Sequence, residues 1–70
     1  MEYGIALGGL YRHYKGGLYR VLTIAKHSET LEEMVIYANE ADPSLVWARP
    51  AVMWSEPVGN TLRFTRVEEQ

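Results

Sequence analysis

Leu10-Tyr11-Arg12-His13-Tyr14-Lys15-Gly16-Gly17-Leu18-Tyr19-Arg20-Val21-Leu22-Thr23-Ile24-Ala25-Lys26-His27 is the stretch that decides the fold. Two strand-like runs flank a Gly-Gly pair. Aromatic and β-branched residues favour extended backbone. Paired glycines supply the positive φ that a tight hairpin turn demands. We therefore expect a strand over 10–14, a turn at Gly16-Gly17 and a long strand over 18–27. Strand side chains alternate between faces. The face made of Tyr19, Val21, Thr23, Ala25 and His27 carries no formal charge and is placed toward the core. Leu18, Arg20, Leu22, Ile24 and Lys26 fall on the other. The turn sets His13 across from about residue 20, so His13 and His27 do not pair directly.

Downstream, Ser28 to Glu32 is a polar connection in which Ser28 and Thr30 bond nearby backbone. Glu33–Asn39 is a third strand. Val35 and Tyr37 share one of its faces, Met34 and Ile36 the other. Asp42-Pro43 marks a loop. Leu45–Arg49 is a fourth strand, ended by Pro50. Ala51 to Trp54 is a short apolar turn that plugs one end of the core, Glu56 to Asn60 a loop, and Thr61–Val67 a fifth strand. The domain spans 10–67, with a loose lead-in over 1–9 onto which Ile5 and Leu7 could fold, and a solvated tail over 68–70. Short strands with turn signals between them point to an all-β domain. At this length the best fit is a small, five-stranded, partly open SH3-like barrel.

Composition narrows the remainder. A 70-residue chain buries only about 60% of its unfolded surface, so packing must be good. It has no cysteine, which removes disulfides, thiolate metal sites and cysteine nucleophiles, and leaves a reducing, cytoplasmic setting as the expectation. A net charge of −2 gives no bulk attraction to nucleic acid or anionic lipid. No apolar run approaches the ~20 residues of a membrane helix.

Several strings carry a resemblance: Leu10-Tyr11-Arg12-His13-Tyr14-Lys15-Gly16, Tyr19-x-Val21, His27-Ser28-Glu29-Thr30-Leu31-Glu32, Val35-x-Tyr37, Trp47-x-Arg49-Pro50 and Arg63-Phe64. Together they resemble a family of short bacterial proteins catalogued as domain of unknown function 1653. The resemblance covers Gly9 to Phe64 and implies an SH3-type β barrel. It implies no activity, cofactor or substrate. Trp54 departs from it, since similar sequences usually show phenylalanine after Met53.

Three functional classes remain. The first is a non-catalytic binding module for peptide, protein or nucleic acid. Arg12, Lys15, Arg20, Arg49 and Arg63 are interleaved with Tyr11, Tyr14, Tyr19, Trp47 and Phe64. Small barrels bind with such aromatic platforms and flanking cations. The candidate ligand-binding residues are Arg12, His13, Lys15, His27, Ser28, Glu29, Trp47 and Arg49. The second class is a structural or oligomerising subunit, a monomer or weak homodimer, using an apolar patch of Leu22, Ile24, Met34 and Ile36. The third is a small enzyme around His13, His27 and Glu29. His27-Ser28-Glu29 holds the residue types of a hydrolase triad, but neighbours on an extended chain point to opposite sides. His13, His27 and Glu29 suffice in number for a metal, but the hairpin register does not unite them. A barrel this small also offers little room for the ~300 Å³ cleft that ligand sites usually need. No catalytic residue, metal or cofactor is assigned.

Overall fold

The computed structural model describes residues 4–69. Residues 1–3 of the expected lead-in, and residue 70 of the tail, lie outside the described residues. The elements in order are β1 (Leu10–His13), β2 (Leu18–Lys26), β3 (Glu33–Asn39), β4 (Val46–Pro50), the single turn α1 (Ala51–Trp54), β5 (Pro57–Val58), β6 (Thr61–Leu62) and β7 (Phe64–Arg66). Five of them form an antiparallel sheet in the order β4-β3-β2-β1-β7, and β5 pairs with β6 alone. The curled sheet is not closed between β4 and β7. This is the partly open, five-stranded, all-β architecture that the turn signals and apolar runs imply.

The β1–β2 turn forms at the glycines for the expected reason. Gly16 and Gly17 have φ of 99° and 86°, a region costly for other residues. The loop is longer than a two-residue turn, however. Arg12 pairs with Leu18, and His13 N–H donates to Gly17 C=O. His13 thus sits opposite Gly17 rather than residue 20, and still far in register from His27.

β2 holds the main departure from simple alternation. Val21 pairs with Tyr37, then Thr23 with Ile36 and Ile24 with Val35. Two residues, Leu22 and Thr23, oppose the single Ile36. This is a β-bulge, which bends a strand and shifts its facing by one residue. Tyr19 and Val21 face the core as expected. Past the bulge Ile24 takes the inner place assigned to Thr23, while Thr23, Ala25 and His27 are exposed. The bulge also divides the proposed apolar patch. Leu22 is 48% exposed, Met34 and Ile36 are half-buried, and Ile24 packs on the core.

The core gathers Ile5, Tyr11, Val21, Val35, Tyr37, Ala51, Trp54 and Phe64. Of the lead-in pair, Ile5 is 7% exposed and Leu7 61%, so only Ile5 joins it. The Tyr11 hydroxyl accepts from Ala6 N–H at 3.0 Å, holding that segment down. Gly8 N–H to Val21 C=O and Val21 N–H to Gly9 C=O add two backbone bonds. The expected fifth strand over 61–67 is broken at Arg63: Thr61–Leu62 turns back onto Pro57–Val58, and only Phe64–Arg66 joins the main sheet. At the far end, Arg20 bonds both Glu40 and Glu69. That clamp ties β2, the β3–β4 loop and the C-terminal segment together.

Candidate functional site

Strand parity builds the site. Residues directly opposite each other in a sheet share a face. Tyr37 opposes Trp47, Val35 opposes Arg49, and His13 opposes Phe64. The sheet's curl then brings its two edges round toward one another. His13, Tyr19, Tyr37, Trp47, Arg49 and Phe64 come to line one open concavity of about 290 Å³. The curled sheet therefore has a cleft near the lower size of ordinary ligand sites, against the expectation of little room. An unclosed sheet leaves that space.

The rings support one another at mostly right angles. Tyr19, Tyr37 and Phe64 form a triangle with centroids 5.6–6.0 Å apart. Trp47 stands 5.7 Å from Tyr19 and 5.9 Å from Tyr37. His13 meets Phe64 edge to face at 5.0 Å. Beneath, Trp54 of α1 stacks on Phe64. Edge-to-face and stacked pairs add to area burial, so the walls are preorganised. Trp47, 41% exposed, is the most open of them.

Arg49 brings charge to the concavity, and His13 is the titratable group beside it. The Arg49 guanidinium carbon lies 5.9 Å from the Phe64 centroid. Among the described residues Arg49 enters no ion pair, and its buried Nε has no hydrogen-bond acceptor. Arg63 has Glu56 at 3.8 Å, though its buried Nε likewise has no acceptor. The His13 pKa is lowered, first by burial and then by the positive charges of Arg49, Arg63 and Lys15. Lys15 N–H donates to His13 Nδ1 at 3.2 Å. An accepting Nδ1 carries no proton, so the neutral ring is protonated at Nε2.

Of the sequence-derived candidates, the structure brings together His13, Trp47 and Arg49. Lys15 does not line the concavity; its Nζ lies 5.8 Å from the Tyr14 ring, and its charge acts on His13. Arg12 does not join them. It neighbours His13 on the strand, so it projects to the opposite face and is exposed. His27, Ser28 and Glu29 sit in the exposed β2–β3 loop. There His27 Nδ1 accepts from Glu29 N–H at 3.1 Å and Thr30 N–H at 3.3 Å. The imidazole, more than Ser28, caps this turn, with Thr30 Oγ1 accepting from Glu32 N–H. Among the described residues, no three His, Asp or Glu side chains gather as a metal set. No helix there is long and apolar enough to cross a membrane.

Tyr19, Tyr37 and Phe64 line the site although their sequence context marks them as core. The signal was present in the parity of Tyr37 and Trp47 on paired strands. Comparison with curated proteins and with solved structures gives no match. The family model described as "Protein of unknown function (DUF1653)" matches residues 9–66, a span that includes every residue lining the concavity. By that match the chain belongs to the DUF1653 family.

Proposed function

We propose that the protein is a small non-catalytic binding module whose concavity receives an anionic group borne by a peptide, protein or nucleic acid. One observation carries this reading: Arg49 lines the concavity and, among the described residues, enters no ion pair. Hydrogen bonds to charged groups contribute about 1.5–3 kcal/mol. An incoming carboxylate or phosphate gains that at the terminal guanidinium nitrogens. Arginine is suited to this because its planar fork matches either anion and stacks on rings.

The sign of the ligand follows from competition between two effects. Rings alone attract cations through their negative faces. Arg49 in the wall, with Lys15 and Arg63 also acting on His13, opposes a second positive charge. Full charges outweigh ring quadrupoles at such distances, so the site selects anions. Open Trp47 supplies the contact area, and such residues dominate binding energies. A cytoplasmic setting goes with this reading, as a cysteine-free chain fits a reducing compartment.

The test is a low-salt titration, followed by tryptophan fluorescence, with an acidic peptide, a single-stranded oligonucleotide and a trimethyllysine peptide. Binding of at least one anionic probe, weakened by salt and by Arg49→Gln, is expected. Binding of the trimethyllysine peptide alone, or of none, would overturn the reading.

A further inference from the structure

β4 ends the sheet order, so only its β3 side is paired. Asn39 N–H donates to Leu45 C=O at 3.0 Å. Antiparallel ladders alternate between residue pairs that exchange hydrogen bonds and pairs that do not. In the β3–β4 register the bonded set therefore runs Leu45, Trp47, Arg49, and the other set runs Val46, Ala48, Pro50. Val46 and Ala48 turn their N–H and C=O away from β3, toward the open edge. Both residues are exposed. Trp47 and Arg49, between and beside them, send their side chains into the concavity. An unfilled backbone edge and an unpaired guanidinium thus lie on the same short strand.

Exposed edges are usually blocked by charge, by proline or by a covering element. Pro50 blocks only the end of β4, where it removes one outward donor. No strand among the described residues pairs with Val46 or Ala48 on that side.

We propose that β4 accepts an extended acidic segment of another protein as an added strand. This rests on the reading of the concavity as an anion site. The backbone of Val46 and Ala48 bonds the incoming chain. An Asp or Glu of that chain falls beside Arg49, and an apolar residue two positions away falls against Trp47. The spacing of two follows because side chains on one face of a strand recur at every second residue. A second copy of this chain is a poorer occupant: β4 carries no Asp or Glu, so β4–β4 pairing brings no carboxylate to Arg49. A nucleic acid has no peptide backbone to fill the edge.

The test begins with selection of a random peptide display library on the full chain. Enrichment of an acidic residue two positions from an apolar one is expected. The selected peptide is then titrated into isotope-labelled protein. Amide exchange at Val46 and Ala48 should slow, and N-methylation of the edge-facing peptide amides should weaken binding about tenfold or more. Arg49→Gln should cost a similar factor. Acidic peptides that bind without protecting Val46 and Ala48, or without sensitivity to N-methylation, overturn strand addition and leave the anion site standing. Enrichment of neutral or basic peptides, or no enrichment, also overturns it; benzoate binding at the concavity then decides separately whether the anion site survives. Protection of the two amides that rises with protein concentration alone overturns it in favour of a second copy.

Discussion

Trp54 and Phe64 lie ring on ring, with centroids 3.8 Å apart and planes 3° from parallel. The pair fastens the α1 turn to β7 and forms the floor under the concavity. Trp54 is 2% exposed, yet its Nε1–H has no acceptor. Two opposite costs therefore meet in this side chain. Trp54→Ala opens a large cavity and should lose about 3–5 kcal/mol. That approaches the whole stability of so small a domain, about 4–10 kcal/mol at typical values per residue. Trp54→Phe also loses volume, but it deletes an orphaned donor worth about 1–3 kcal/mol. Chemical denaturation should show the alanine variant destabilised by about 3–5 kcal/mol and the phenylalanine variant within about 1.5 kcal/mol of the parent.

His13 makes folding depend on pH, and binding of an anion in the concavity would depend on it as well. Its pKa is lowered in the fold by burial and by Arg49, Arg63 and Lys15, so the unfolded chain binds a proton more readily. Stability from this group is full above the unfolded value of about 6.5 and is lost as pH falls through the lower folded value. Protonation of Nδ1 would also break the bond from Lys15 N–H. His13→Gln should flatten this dependence below pH 6.5 in denaturation curves. An anion in the concavity opposes the same shift, so binding should raise the His13 pKa, as read by NMR titration with and without ligand.

Leu31 is the one non-glycine residue with positive φ among the described residues, at 64°. Its side chain is 65% exposed and lacks packing to compensate. Left-handed backbone costs an ordinary residue about 1–2 kcal/mol. Glycine there removes that cost and gives back about 0.4–1 kcal/mol in unfolded-state entropy. Leu31→Gly should raise the urea midpoint by an amount equivalent to about 0.5–1 kcal/mol, with an unchanged slope.

The Arg20 clamp predicts a salt effect. Hydrogen bonds to Glu40 and Glu69 raise the Arg20 pKa, and the bond from Arg20 lowers that of Glu40. For Glu40 the stability is present above the ordinary carboxylate value and is lost as pH falls through the lowered one. The groups are solvent-exposed, so the effect is small and screened. Thermal melts of Arg20→Gln should show a modest loss at low salt that shrinks at high salt.

Much of this was legible in residues 10–39. The Gly-Gly turn and the period-two run at Tyr19–Val21 have local causes, and local causes show in sequence. The bulge at Leu22–Thr23 does not, because Leu22, Thr23 and Ile24 are all acceptable strand residues and alternation reads straight through them. Only the packing of Ile24 on the core settles which faces inward. Arg12 and His13 could have been separated from sequence, since adjacent strand residues cannot share a face. Arg49 and Phe64 could not have been joined, because their meeting depends on the curl of the whole sheet. His27 reads as a candidate ligand in isolation and becomes a turn cap once Glu29 and Thr30 fold back onto it.

Anion binding in the concavity is read by an NMR titration of labelled protein with benzoate, following the side-chain N–H signals of Arg49 and Trp47. Benzoate carries one carboxylate on one flat ring. An anion bound there should give saturable shifts centred on the Arg49 guanidinium N–H groups, the Trp47 indole N–H and the His13 ring. The same titration should be weakened about tenfold or more in Arg49→Gln. Shifts centred instead on Arg12 or on the His27–Glu29 loop, or a response unchanged in Arg49→Gln, would contradict it.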